Sequence, residues 1–150
     1  MRLVIQRVSE AQVKVEGEIV GAITSGLLVL LGIAEEDTQD DASWLVHKLL
    51  NMRIFNDENG VMNQSLLEVQ GALLVISQFT LLAATKKGNR PSYIRAAKHE
   101  TAIPLYRYFI EQAQKSVQTN IQEGIFGADM KVHLVNDGPV TIMIDSRNRE

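Results

Sequence analysis

Two short segments of this chain carry residues whose types and spacing are suited to chemistry. The first is Ser77-Gln78-Phe79-Thr80-Leu81, with two hydroxyls, an amide and an aromatic within four positions. Read as strand, it sends Ser77 and Phe79 to one face and Gln78 and Thr80 to the other. Thr80 as a nucleophile would need a base within reach to take its proton, and none is evident in the sequence. The alternative for Thr80 is a β-branched residue placed for strand propensity. The second segment is Asn136-Asp137-Gly138-Pro139-Val140-Thr141. Gly138 lacks the Cβ that keeps another molecule at a distance, and Pro139 fixes φ. The pair can present bare backbone as a rigid recognition surface, or it can form an ordinary turn, which this residue order also suits.

Conventional catalytic machinery is missing from the sequence. His47, His99 and His133 have no metal-ligand spacing and read as surface or packing residues, so no metal or cofactor is expected. No GxSxG elbow, P-loop or dinucleotide-binding glycine pattern occurs. With no cysteine among 150 residues, disulfides and thiolate zinc sites are excluded. A net charge of -3 argues against gripping long nucleic acid through many phosphates. It leaves room for gripping one end, and Lys86, Lys87 and Arg90 cluster three cations within five residues just after the SQFTL segment. That loop is either a solvated Gly-Asn turn or a phosphate contact.

These residues need a scaffold, and the hydrophobic pattern supplies most of one. Leu3 to Val8, Gln12 to Val15 and Glu18 to Ile23 have strand character, with a tight turn at Glu16-Gly17. Gly26 to Ile33 is a continuous apolar run, expected to be a strand buried on both faces. Thr38 is placed to cap a helix whose apolar positions Ala42, Leu45, Val46, Leu49 and Leu50 repeat at helical spacing, with Trp44 and His47 beside them. Arg53 to Asn56 reads as a short strand before a turn at Asp57 to Gly60, and Gly71 to Leu82 as one long strand. A second helix is expected from about Pro104, with Leu105, Phe109, Ala113 and Val117 on one face. Strands resume at Met130. The length suits one domain, 1–150, and the order of elements an α+β unit with helices packed on a mainly antiparallel sheet. The opening residues break into charge too early for a signal peptide, and no apolar run approaches a membrane span, so a soluble, cytoplasmic protein is expected.

Taken in order, Met1 to Val8, Ser77 to Leu81, Gly88-Asn89-Arg90-Pro91-Ser92, Phe126 to Met130 and Asn136 to Thr141 resemble the signatures of the D-aminoacyl-tRNA deacylases over essentially the whole chain. Tyr93 stands where that resemblance leads one to expect phenylalanine. The resemblance implies a barrel-like sheet, a homodimer with shared active sites, and hydrolysis of the ester bond of D-aminoacyl-tRNA, including glycine carried on tRNA. It implies that Ser77, Gln78, Phe79 and Thr80 form the catalytic segment. Backbone donors near Phe79 and Thr80 would stabilise the oxyanion, and the substrate's ribose hydroxyl would assist in place of a side chain. It implies further that Gly138-Pro139 is a cis step that excludes L-amino acids, entering the partner's site, with Arg7 supporting it. Phe126 and Met130 would line the pocket for the terminal adenine, and with an RNA end bound nearby the loop of Lys86, Lys87 and Arg90 reads as a phosphate contact. Two other readings remain open: a dimeric module that binds an RNA end or a small amine without turnover, and a hydrolase with Thr80 as nucleophile.

Overall fold

The structure is a computed structural model that describes residues 1–119 and 121–150. Strand β1 (Arg2–Val15) organises the sheet. Its first half pairs antiparallel with β3 (Gly26–Gly32) and its second half with β2 (Glu18–Ile23). The long strand β8 (Met130–Asp145) runs antiparallel along its other side, from Arg2↔Asp145 to Val15↔Met130. The sheet continues from β3 through β6 (Ala72–Ser77) to the short β7 (Gln122–Glu123), both joined in parallel. The sheet is therefore mixed. It curls until β2 meets β7: a Cβ at Gly21 would lie 2.7 Å from the Glu123 carbonyl oxygen, so a side chain there would hold the two edges apart. This gives a single-domain, nearly closed barrel-like sheet with two packed helices.

β3 explains how one sheet serves two cores. Leu27, Val29 and Leu31 face the helices together with Leu3, Ile5, Leu73 and Val75, whereas Leu28, with Leu74, Ile76, Val8, Ala11 and Val13, points into the curl. A strand covered on both faces has no polar side to show, which is why its sequence is a continuous apolar run. Each leucine so buried contributes roughly 2 kcal/mol. Helix α1 (Gln39–Asn51) starts at a capping box in which Asp41 accepts from the Thr38 backbone N–H at 2.9 Å and from its hydroxyl at 3.0 Å. Its residues Ala42, Leu45, Val46, Leu49 and Leu50 are buried, as the spacing predicts. A small hairpin of β4 (Phe55–Asn56) and β5 (Met62–Gln64) closes around Asp57 to Gly60.

Several expectations change. The strand from Gly71 does not run to Leu82: β6 stops at Ser77, and Phe79–Leu82 form a turn of 3-10 helix. Its partner β3 ends at Gly32, and the last ladder bond runs from Gln78 N–H to the Leu31 carbonyl at 2.8 Å. Beyond it the backbone satisfies itself, with Leu81 N–H on the Gln78 carbonyl and Ala83 N–H on that of Thr80. Helix α2 (His99–Gln114) begins five residues before Pro104, which lies inside it, and ends before Val117. The carbonyl that Pro104 leaves unbonded belongs to Glu100, an exposed residue that water can satisfy. The start is fixed instead by Glu35, which accepts from Lys98 N–H at 2.9 Å and from the Thr101 hydroxyl at 3.1 Å. No described helix is long and apolar enough to cross a membrane.

Candidate active site

A cavity of about 760 Å³ opens where β6 ends, between the 3-10 turn, the start of α2 and the loop leading to β8. Ser77, Gln78 and Phe79 form one side of it, Phe126 and Met130 another, and His99 lines it from α2. The structure thus brings together the SQFTL segment and the Phe126/Met130 pair, 47 positions apart from Phe79 to Phe126 in the sequence. The strand alternation expected over Ser77 to Leu81 does not hold, because the chain leaves the sheet at Ser77. In the turn that replaces it, the Gln78 side-chain amide donates to the Thr80 hydroxyl, two residues on. Among the described residues no carboxylate or imidazole is hydrogen-bonded to Thr80. Internal bonding of the turn begins at Leu81 N–H, so the N–H groups of Phe79 and Thr80 precede it and have no acceptor within the turn. The ring of Phe79 is 57% exposed and meets that of Tyr93 edge-on, with centroids 5.1 Å apart.

Phe126 is held by two rings of α2. Tyr106 and His99 each lie 5.7 Å from it, at interplanar angles of 70° and 82°. Tyr106 is buried and donates its hydroxyl to the Val75 carbonyl on β6 at 3.0 Å. Burial, and then the neighbouring Glu123 carboxylate, push that hydroxyl well above the ordinary tyrosine range, so it stays protonated as a donor.

Gly138 and Pro139 lie within β8, joined by a cis peptide bond, and do not reverse the chain. Gln6 pairs with Thr141 and Val8 with Asn136, so the four residues Asp137 to Val140 bulge out opposite Arg7 alone. Arg7 is not a solvated residue on an edge strand, because β1 is interior to the sheet: it is 6% exposed. Its Nε donates to the Asp137 carbonyl at 3.1 Å, with the Asp137 carboxylate at 3.4 Å, and its Nη1 to the Ile54 carbonyl at 2.6 Å. Asn136 spans the bulge, accepting from Val140 N–H at 3.1 Å and donating to the Thr141 hydroxyl at 2.9 Å. Gly138 has φ +129°, a conformation suited to glycine, and a Cβ there would meet Arg7 Nη2 and Val140 Cγ2 at 2.9 Å. Gly138 and Pro139 are exposed and do not line the cavity. Arg7 pairs with Leu27, and Ser77 with Leu31, which puts the bulge and the SQFTL segment four residues apart along β3, about 13 Å, with strands intervening.

Lys86, Lys87 and Arg90 occupy an exposed loop closed by paired backbone bonds between Ala84 and Ser92. The loop continues from the 3-10 turn but does not line the cavity. Sequence reasoning missed Asn136, Tyr106 and His99. For Asn136 the signal was present, an Asn two positions before a Gly-Pro step with its amide able to bond backbone. For the two ring residues there was none, since only the packing of α2 on β6 carries them to Phe126.

A family model described as D-Tyr-tRNA(Tyr) deacylase matches residues 4–145. Curated proteins called D-aminoacyl-tRNA deacylase from Phocaeicola vulgatus and Flavobacterium johnsoniae are each 60% identical over 150 residues, covering all of both chains. A solved structure described as a c-Myc DNA unwinding element binding protein superposes with a TM-score of 0.91 at 45% identity, covering 97% of this chain and 98% of the other. A structure described as a probable eukaryotic D-amino acid tRNA deacylase shares the fold, with a TM-score of 0.82 at 18% identity over 95% of this chain and 97% of its own. With the whole chain covered by such relatives, the protein belongs to the D-Tyr-tRNA(Tyr) deacylase family, and by that membership to the hydrolases.

Proposed function

We propose that this protein hydrolyses the ester bond of D-aminoacyl-tRNA, releasing the free D-amino acid and tRNA, and that it also releases glycine from mischarged tRNA. The observation that carries the reading is the cavity shared by Ser77, Gln78, Phe79, Phe126 and Met130, which joins a hydrogen-bonding turn to an apolar slot suited to a base. In this reading the terminal adenosine enters between Phe126 and Met130, an aromatic and a thioether that suit a base face. The ester then lies over the 3-10 turn. Lys86, Lys87 and Arg90 contact phosphates of the acceptor end, and the reaction belongs in the cytoplasm, where aminoacyl-tRNA is used.

The chemistry follows from what Thr80 lacks. Its hydroxyl accepts from Gln78, and among the described residues no base is hydrogen-bonded to it; in this reading the attacking group is water, positioned by the vicinal ribose hydroxyl of the substrate. The carbonyl oxygen gains negative charge in the tetrahedral intermediate. The N–H groups of Phe79 and Thr80, which have no acceptor within their turn, are suited to receive it. One such preorganised donor lowers the barrier by about 3 kcal/mol.

Selectivity in this reading comes from Gly138-Pro139 of a second copy. Within one chain the bulge is exposed and set apart from the cavity, so its carbonyl oxygens can reach the substrate's α-amino group only across a homodimer. The outward residues Val135, 49% exposed, and Met143, 72% exposed, leave apolar surface on β8 for such a contact. Two fixed carbonyls holding the ammonium, about 1.5–3 kcal/mol each, orient the Cα so that an L side chain collides with the Gly-Pro backbone. A D side chain points away, and glycine has nothing to exclude.

Parallel assays of D-tyrosyl-, D-alanyl-, glycyl- and L-tyrosyl-tRNA test the proposal. Both D substrates should be cleaved despite their difference in size, glycine should be cleaved to some extent, and the L form spared. Rapid L-tyrosyl cleavage, or complete refusal of glycine, would rule out steric exclusion. Binding without release of any amino acid would make the protein a binding module.

A further inference from the structure

We infer that His99 is a specificity residue of the cavity, supplying the hydrogen-bonding contact that orients the base of the substrate's terminal nucleotide. The inference rests on the reading of this cavity as the site of the tRNA end, and deepens it. Beside the polar residues Ser77, Gln78, Lys98 and Glu100, the cavity has apolar walls formed by Leu31, Ile76, Ala102, Met130 and Val132. Such walls accept the face of any base but read none of its edges, since recognition of an edge needs a donor or an acceptor at a fixed position.

Of the two rings that hold Phe126, only one can serve a ligand. The Tyr106 hydroxyl is committed to the Val75 carbonyl. His99 is exposed, lines the cavity, and its ring nitrogens make no hydrogen bond among the described residues. A neutral imidazole points its donor and its acceptor nitrogen apart, so it makes one contact with an edge, and its acceptor suits the exocyclic amino group of adenine, which uracil lacks. The ring sits on a fixed mount. His99 is the first residue of α2, and both neighbouring contacts of that turn end on Glu35, from Lys98 N–H and from the Thr101 hydroxyl. Glu35 is in turn tied through its own N–H to the Arg95 carbonyl at 3.2 Å. A contact made from such a mount loses little side-chain freedom on binding, which favours selectivity over mere affinity.

The test compares wild type with His99→Ala and His99→Gln in two measurements. One is binding of adenosine 5′-monophosphate and uridine 5′-monophosphate to the full-length protein by chemical-shift titration. The other is steady-state hydrolysis of D-tyrosyl-tRNA. His99→Ala should weaken adenosine monophosphate binding about five- to tenfold, the equivalent of one lost hydrogen bond, and narrow its preference over the uridine nucleotide. KM should rise by a similar factor while kcat stays within about twofold, because the contact is the same in ground and transition states. His99→Gln, which keeps a donor and an acceptor, should recover part of the loss. If His99→Ala binds and discriminates as wild type does, the role assigned to His99 is wrong while the base pocket stands. If wild type itself binds neither nucleotide, the base pocket falls and the inference with it.

Discussion

Arg7 Nε donates to the carbonyl oxygen of Asp137 at 3.1 Å, and this bond fills a gap that the sheet itself creates. Between the pairs Gln6↔Thr141 and Val8↔Asn136, strand β8 spends four residues where β1 spends one. The guanidinium occupies the resulting space and links the bulge to the Ile54 carbonyl beside the β4–β5 hairpin. The residue that accepts this bond, Asp137, immediately precedes Gly138 and Pro139.

Arg7→Ala should therefore act on both stability and activity. It strips charge-assisted donors from two backbone carbonyls beside a buried side chain, at a cost of about 2–4 kcal/mol. Thermal melting should show that loss, and D-substrate hydrolysis should fall further than the unfolded fraction explains. Arg7→Lys keeps the charge but cannot bond both carbonyls with a fork, so intermediate values are expected. A variant with full activity per folded molecule would separate Arg7 from the Gly-Pro segment.

Thr80→Ala should keep substantial deacylase activity, since among the described residues the only hydrogen bond of its hydroxyl is the one it accepts from Gln78. Replacing the terminal ribose by its 2′-deoxy form, with the amino acid on the 3′ oxygen, should slow hydrolysis severely. Single-turnover rates decide between the two mechanisms. A dead alanine variant with a normally cleaved deoxy substrate would establish covalent catalysis by Thr80.

Gly138→Ala should abolish D-substrate hydrolysis with little loss of dimer. The added methyl meets Arg7 Nη2 and Val140 Cγ2 at 2.9 Å and sits in a backbone conformation that alanine rarely adopts. It must displace the bulge or block the approach of substrate. Activity and sedimentation measured on the same samples check it, and a fully active wild-type monomer would contradict the shared site.

Acid should destabilise the fold through two aspartates. Burial raises the pKa of Asp145, but the hydrogen bonds from Arg2 and from Arg147 N–H outweigh it and hold the group below its ordinary value of 3.8. Burial likewise raises Asp41, and bonds from Ser146 and Thr38 bring it below 3.8. A depressed folded-state value means that each contribution is fully present above pH 3.8 and is lost as the pH falls through the folded-state value. Asp145→Asn should lower the melting temperature at neutral pH, and its gap from wild type should close below that window. A gap that stays constant down to pH 2, about two units under the ordinary value, would show that the ion pair with Arg2 does not act through titration.

Much of this molecule was determined by sequence alone. The apolar run of β3, the helical spacing of α1 and its Thr38 cap are local patterns, and each appears where it was expected because burial on two faces, on one stripe, or at a helix end constrains neighbouring residues. The ordered motifs likewise pointed to the family. Tertiary structure decided the rest, for reasons that local pattern cannot carry. Ser77 to Leu82 has the composition of strand, yet it leaves the sheet because its partner β3 ends at Gly32, far away in sequence. An arginine in a strand is ordinarily solvated, and Arg7 is buried because β8 returns over it with a four-residue bulge. His99 and Tyr106 meet Phe126 only because α2, anchored by Glu35, packs beside β6. Hydrophobic period specifies which face of an element is buried, but the ends of strands and the neighbours of a side chain depend on which distant segments reach the same place.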